Sequence, residues 1–278
     1  MKPALFDYSR PVTLEQALAA LRDNNEAAVI AGGQSLLPML NLRATSVEAL
    51  IDISALSELR AVTEDDKTFS LGALVIHAQI EDGLGSEAFA GLLQRIAAKI
   101  AYRAVRNMGT IGGSLALCDP AADWPACFLA LGATAVLRSA EGERQVPLGE
   151  FLLDAYTTSL EPGELLTRID VPKRDQCRWG VSKVTRKSGA FADSLAIAVL
   201  GSAGFPSRVT LTGTASCAQL LPRTSTLIEQ EPDIGTQDLS QAIGQDVGDA
   251  DPEATPYQYR CHIHTVTNAI SEASSWSR

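Results

Sequence analysis

Two glycine pairs, each followed closely by serine, constrain this chain more than any other feature. Ala31-Gly32-Gly33-Gln34-Ser35 comes directly after the apolar run Ala27-Ala28-Val29-Ile30, and Thr110-Ile111-Gly112-Gly113-Ser114 repeats the arrangement later in the chain. Glycine permits φ > 0 and lets the main chain approach a ligand closely. Consecutive backbone N–H groups in such a turn form a concave anion site, and the flanking serine, threonine and glutamine add hydroxyl and amide donors. Two such loops in one chain point to a ligand whose diphosphate is held from both sides. Neither loop reads G-x-G-x-x-G and no G-K-S/T P-loop exists, which disfavours a doubly wound dinucleotide fold and a P-loop phosphotransferase.

The 278 residues suffice for about two domains. A formal charge of −10 disfavours nucleic acid as partner. No apolar run reaches the ~18 residues of a membrane span, and the start lacks a secretory signal's apolar segment. The five cysteines form no C-x-x-C pair, so neither an iron–sulfur cluster nor structural zinc is read from them. The expectation is a cytoplasmic protein with free thiols and no metal site.

Thr13-Leu14-Glu15-Gln16 is a capping box, and Leu14, Ala17, Leu18 and Leu21 follow at helical spacing. A strand is expected at 27–31, a short helix at 36–42 capped by Ser35, and a strand at 50–53. Strands are expected at 60–62 and 68–71 and helices at 76–81 and 92–100, with Asp123 as N-cap of a helix ending at Gly132 and Pro125 in its first turn. Further strands are read at 134–138, 145–146 and 165–171, and Pro172-Lys173-Arg174-Asp175 marks a domain boundary. Beyond it lie strands at 180–185, 195–200 and 209–212, a helix around 239–243 and a helical C-terminus from about Pro256. Helices and strands without regular alternation favour α+β.

Ala31 to Arg43 resembles the first flavin loop of the medium, FAD-binding subunit of molybdenum hydroxylases, the xanthine dehydrogenase and carbon monoxide dehydrogenase family. Val105 to Ala116 is similar to that family's second loop, and Asp119-Pro120-Ala121-Ala122-Asp123 continues the match, as do Phe6 to Pro11 and Gly163 to Leu166. The resemblance is dense to about residue 186 and thin beyond. It implies an α+β, PCMH-type (vanillyl-alcohol-oxidase-like) FAD-binding fold over 1–173, with subdomains of about 1–55 and 56–173. A C-terminal α+β domain of the carbon monoxide dehydrogenase flavoprotein type would span 174–278.

By the same resemblance, Ala31, Gly32, Gly33, Gln34, Ser35 and Leu36 would meet the FAD pyrophosphate. Thr110, Ile111, Gly112, Gly113 and Ser114 would hold it from the other subdomain. Asp123 would lie near the ribose or ribityl hydroxyls, Leu165 and Leu166 on the adenine, and Ile100 and Ala101 against the flavin. Lys183 would approach the isoalloxazine ring, where a cation can stabilise an anionic reduced flavin. No side chain need act as acid or base. The implied assembly is a heterotrimer, doubled into a dimer of heterotrimers. A large subunit would carry the molybdopterin cofactor, and a small subunit two [2Fe–2S] clusters that pass electrons through FAD to an external acceptor. A free-standing flavin oxidase and a scaffold without redox work are the other readings.

Departures from the family pattern are Leu117-Cys118 before Asp119-Pro120, where Asn or His and then Ala is usual, and Gly189-Ala190-Phe191-Ala192, where Gly-Asp-Phe-Ala is common. Arg103 and Arg106 can either anchor the second loop or meet phosphate. His77 reads as a helix-start residue. In Cys261-His262-Ile263-His264 the helical spacing turns the two histidines apart, against a metal site. No Ser/His/Asp set is indicated.

Overall fold

The computed structural model describes residues 2–275 apart from 25, 90, 174–177, 202–203 and 231–235. Arg174 and Asp175, half of the expected domain break, lie outside the described residues.

The first unit holds β1 (Asp7–Ser9), α1 (Leu14–Asp23), β2 (Ala28–Ile30), α2 (Leu36–Leu42) and β3 (Ala49–Asp52). Its strands pair parallel in the order β1-β3-β2. Half of the capping box forms as read, with the Thr13 hydroxyl accepting from Gln16 N; the Gln16 side-chain oxygen reaches one residue further and accepts from Val12 N in place of Thr13 N. Leu14, Ala17, Leu18 and Leu21 then bury one face of α1 on Ile51, Ile53 and Leu56. Ser35 precedes α2 but its side chain caps nothing.

The second unit is helical at its centre. It comprises β4 (Val62–Glu64), β5 (Thr68–Gly72), α3 (His77–Glu81), α4 (Leu92–Ala98), α5 (Arg103–Arg106), α6 (Ile111–Leu117), α7 (Asp123–Leu131), β6 (Thr134–Arg138), β7 (Glu143–Pro147), α8 (Leu148–Phe151), β8 (Leu152–Asp154), β9 (Thr157–Thr158) and β10 (Leu165–Pro172). Its main sheet is antiparallel, in the order β4-β5-β10-β6-β7. Apart from Asp123, helix α7 is apolar on every side, and it is wholly buried, Trp124 and Phe128 included, as expected of a helix covered on all faces. Where a strand was expected from Arg60, a 3₁₀ turn (Ser57–Arg60) comes first and the strand starts at Val62. The expected cap is also corrected. Ala122 occupies the N-cap of α7, and Asp123 is its first helical residue with its carboxylate engaged elsewhere.

The C-terminal part holds β11 (Arg178–Val184), β12 (Ser194–Leu200), β13 (Arg208–Thr212), β14 (Gln219–Leu220), α9 (Pro222–Gln230), α10 (Thr236–Ala250) and α11 (Pro256–Ser274). Its antiparallel sheet runs β11-β12-β13-β14. Strand β12 is buried on both faces. One face meets α11 through Ala196, Ala198 and Leu200; the other joins the core around α7 through Leu195, Ile197 and Val199. Helix α11 lies so close to β11 that a Cβ on Gly180 would sit 2.0 Å from the Ala269 carbonyl oxygen. Helix α9 was not read from its polar sequence. No helix among the described residues is long and apolar enough to cross a membrane.

Candidate cofactor site

The two glycine loops meet. A Cβ on Gly32 would stand 2.0 Å from the Met108 carbonyl oxygen and 2.9 Å from Gly109 Cα, so only glycine allows this contact between the first two units. The loops border a cavity of about 540 Å³, within the range of about 300–1,000 Å³ usual for small-molecule and cofactor sites. Every residue predicted for the site lines this cavity except Ile111 and Lys183. Ile111 is fully buried, its amide donating to the Val75 carbonyl at 3.0 Å. Its side chain belongs to the core because it sits on the inward face of α6, and its assignment is corrected.

The loops use different physics. In the first, the amides of Gly32, Gly33, Gln34, Ser35 and Leu36 have no hydrogen-bond partner among the described residues. They run into the start of α2 at Leu36, where unpaired N–H groups favour an anion. Gly33 has φ 69°, the left-handed region that favours glycine. In the second loop the glycines are helical, within the first turn of α6, and not in a turn with φ > 0. There the Ile111, Gly112, Gly113 and Ser114 amides donate to Val75 O, Ala73 O, Thr110 Oγ1 and Thr110 O. A Cβ on Gly112 would meet Ala73 Cβ at 2.4 Å, so this glycine permits packing. What the second loop offers a ligand is the Ser114 hydroxyl and the bare Cα of the exposed Gly113.

Asp123 and Lys183 form a buried ion pair. Lys183 Nζ donates to Asp123 Oδ1 at 2.7 Å, and the side chains are 5% and 6% exposed. Burial pushes the Asp123 carboxyl up against the pull of Lys183. Asp123 borders the cavity and Lys183 lies behind it. The backbone at Ala101 is in the left-handed region, φ 42°, uncommon for a non-glycine residue. It is held there by Arg106, whose guanidinium donates to the Ile100 and Ala101 carbonyls and pairs with Glu81 at 2.7 Å. Arg103 pairs with Glu81 and Asp82. Both arginines therefore anchor structure. Gly189, whose Cβ would meet Ala101 O at 2.7 Å, brings Ala190 and Phe191 of the C-terminal part to the cavity wall.

His77 was missed. Its ring borders the cavity, and the Trp124 indole donates to its Nδ1 at 2.9 Å. Burial first, then the charge of Arg106, lowers its pKa from 6.5 to about 4. The ring is neutral at pH 7, and with Nδ1 accepting, the proton resides on Nε2. Only the fold brings Trp124 to His77, so no local signal marked it. Unfolded His77 takes a proton near pH 6.5 and folded His77 only near pH 4. Stability therefore falls as pH drops through that window, by about 3 kcal/mol for this group. His77→Asn, which retains an acceptor for Trp124, is expected to flatten urea-unfolding stability against pH between 6.5 and 4. His262, also lowered by burial, keeps its own share of the slope.

Against expectation, a Ser/His/Asp set does assemble. His262 Nδ1 lies 2.8 Å from Ser194 Oγ and Nε2 lies 3.2 Å from Asp251. All three are buried and none borders the cavity between the loops, so the set ties α11 to β12. His264 points outward to Asn268, as the helical spacing predicts.

The FAD-binding domain family of molybdopterin dehydrogenases matches residues 4–174. The chain is 34% identical over 273 residues to the 6-hydroxypseudooxynicotine dehydrogenase complex subunit alpha of Paenarthrobacter nicotinovorans, covering 95% of this chain and 92% of that one. It is 39% identical over 200 residues to the glyceraldehyde dehydrogenase medium chain of Sulfolobus acidocaldarius, covering 72% and 71%. A carbon monoxide dehydrogenase structure from Hydrogenophaga pseudoflava, lacking the Mo-pyranopterin moiety, superposes with TM-score 0.90 at 32% identity over 98% of both chains. The unpaired amide run and the close-packed Gly32 suit the diphosphate of such a cofactor. The chain thus belongs to the FAD-binding family of molybdopterin dehydrogenases and is an oxidoreductase flavoprotein of the medium-subunit type.

Proposed function

We propose that this chain is the electron-transfer subunit of a multi-subunit molybdenum hydroxylase. It would pass electrons from iron–sulfur clusters of a small partner subunit, reduced by a large molybdopterin subunit, through FAD to an external acceptor. The observation that carries this reading is the row of unpaired amides from Gly32 to Leu36 facing a cavity walled by all three parts of the chain. Bound FAD would supply the redox chemistry, accepting and releasing electrons.

The chain's own residues bind and orient. The first-loop amides would take the diphosphate, with the Gln34 side chain folded back on the Gly32 carbonyl at 3.1 Å to hold the turn. Thr110, by capping Gly113, fixes the α6 start, and Ser114 adds a hydroxyl. Leu165 and Leu166, both buried on β10, would give an apolar wall for the adenine. Asp123 would accept from hydroxyls of the sugar or ribityl chain, kept in place by Lys183. Ile100, Ala101 and Ala190 would exclude water near the ring. Relatives named as a medium chain and as a complex subunit support an assembly with other chains, and the assembly we propose is a dimer of heterotrimers. Helix α2 turns Leu37, Met39 and Leu42 outward beside the cavity, and exposed apolar side chains of this kind mark interaction surfaces.

The test is the visible spectrum and subunit composition of the natively purified protein. Flavin bands with iron–sulfur absorbance and two co-purifying chains are expected. Flavin on a lone chain reduced by its own substrate would favour the free-standing oxidase, and a colourless protein that takes up no FAD would overturn both.

A further inference from the structure

Two thiols lie together outside the cofactor cavity. Cys118 ends α6 in the left-handed conformation, φ 53°, and its Sγ is 3.3 Å from the Asp154 carbonyl oxygen. Cys217 lies between β13 and β14 and follows Ser216, whose hydroxyl donates to the Asp154 carboxylate at 2.6 Å. Asp154 thus accepts from Cys118 through its carbonyl and from Ser216, the residue before Cys217, through its carboxylate, and the Ser216 hydroxyl lies 3.9 Å from the Cys217 sulfur, which brings the two cysteines together. Both are free and buried. Cys217 also borders a second cavity of about 400 Å³ that shares no lining residue with the first. Arg208 lines that cavity as well, with a buried Nε that has no hydrogen-bond partner among the described residues.

We propose that Cys118 and Cys217 are a peroxide-oxidisable dithiol whose disulfide ties the end of α6 to the C-terminal sheet. The second cavity gives a hydroperoxide access to Cys217, and the Arg208 guanidinium supplies a donor for its oxygen. Hydrogen bonding from the Cys118 thiol pulls the Cys217 thiol down against its burial. The same contact, with burial, pushes the Cys118 thiol up. Cys217 borders the second cavity while Cys118 is fully enclosed, so Cys217 meets the peroxide first and is the nucleophile. Its thiolate attacks one peroxide oxygen and breaks the O–O bond, leaving a sulfenic acid and releasing water from hydrogen peroxide. The Cys118 sulfur then displaces the hydroxyl, which departs as water with the Cys118 proton. Two thiols lose two electrons to one peroxide, and one disulfide and two waters form.

The test is peptide mass mapping of the reduced, natively purified complex after equimolar hydrogen peroxide and alkylation in denaturant. Expected is loss of two of this chain's five alkylatable cysteines, with one linked peptide pair joining Cys118 to Cys217. Cys118→Ser is expected to stop the linkage and leave Cys217 as a sulfenic acid trapped by dimedone; Cys217→Ser is expected to leave Cys118 unoxidised. Full alkylation of both cysteines in the wild-type protein, or Cys217 oxidised to a sulfinic acid without linkage, would overturn the proposal and reduce the pair to apolar packing. These readouts follow the thiols and not the flavin, so they stand apart from the FAD assignment.

Discussion

Gly32→Ala is expected to strip FAD from the protein. The added Cβ would stand 2.0 Å from the Met108 carbonyl oxygen and 2.9 Å from Gly109 Cα, both backbone atoms that no rotamer change can move. The two loops must separate, at the cost of overpacking, about 1–3 kcal/mol or more. The amides behind Gly32 move with the loop, and a loss of about 1.4 kcal/mol in binding is already tenfold in Kd. FAD titration into the deflavinated protein, followed by flavin fluorescence, is expected to show at least about tenfold weaker binding. Gly142→Ala is the control, since a Cβ there meets nothing within 4 Å. Equal affinity in both variants would remove Gly32 from the site. Gly33→Val is less diagnostic. Its Cβ would meet Leu37 and Ile30 side chains at φ 69°, so it acts through backbone strain and packing instead of through the ligand.

Lys183→Met is expected to act on stability first. The pair with Asp123 is buried on both sides at 2.7 Å. Removing the lysine strands a carboxylate at the cavity wall, and breaking a buried pair from one side costs about 3–5 kcal/mol. Burial already raises the Asp123 carboxyl in the wild-type protein; without Lys183 it rises further. A carboxyl raised in the folded state favours folding as pH falls through its pKa, so the deficit of the variant narrows toward acid. The double variant Asp123→Asn/Lys183→Met removes both charges and is expected to recover much of the loss. Urea unfolding across pH measures all three. A shifted flavin potential with unchanged stability would contradict this account and restore Lys183 to the ring.

Much of the molecule was legible before folding because it rests on local chemistry. The Thr13–Gln16 capping box, the apolar stripe of α1 and the start of α11 at Pro256 depend on residues three or four apart. The first glycine loop was readable for the same reason, since a strand, a left-handed glycine and a short helix follow one another. Length and specificity made the two loop motifs enough to place the family and its FAD-binding fold. Polar helices such as α9 were not readable, because their few apolar contacts come from packing.

Tertiary structure decided what the residues do. The second glycine pair had the composition of an anion-binding turn, yet the Ala73 carbonyl and the Thr110 hydroxyl accept its amides and make it a helix start. Gly32 is indispensable because Met108 lies against it, not because of its own φ. Asp123 looked like a cap and became the partner of Lys183. His77 is neutral because burial and the charge of Arg106 make it so, and Cys118 comes beside Cys217 only where the end of α6 meets the C-terminal sheet. Each of these depends on groups far apart in the chain whose desolvation and hydrogen bonding exist only once the chain has closed around them. The sequence by itself determined the local elements and the cofactor family; burial and long-range contact alone decided which donors stay free, which charges pair and which thiols touch.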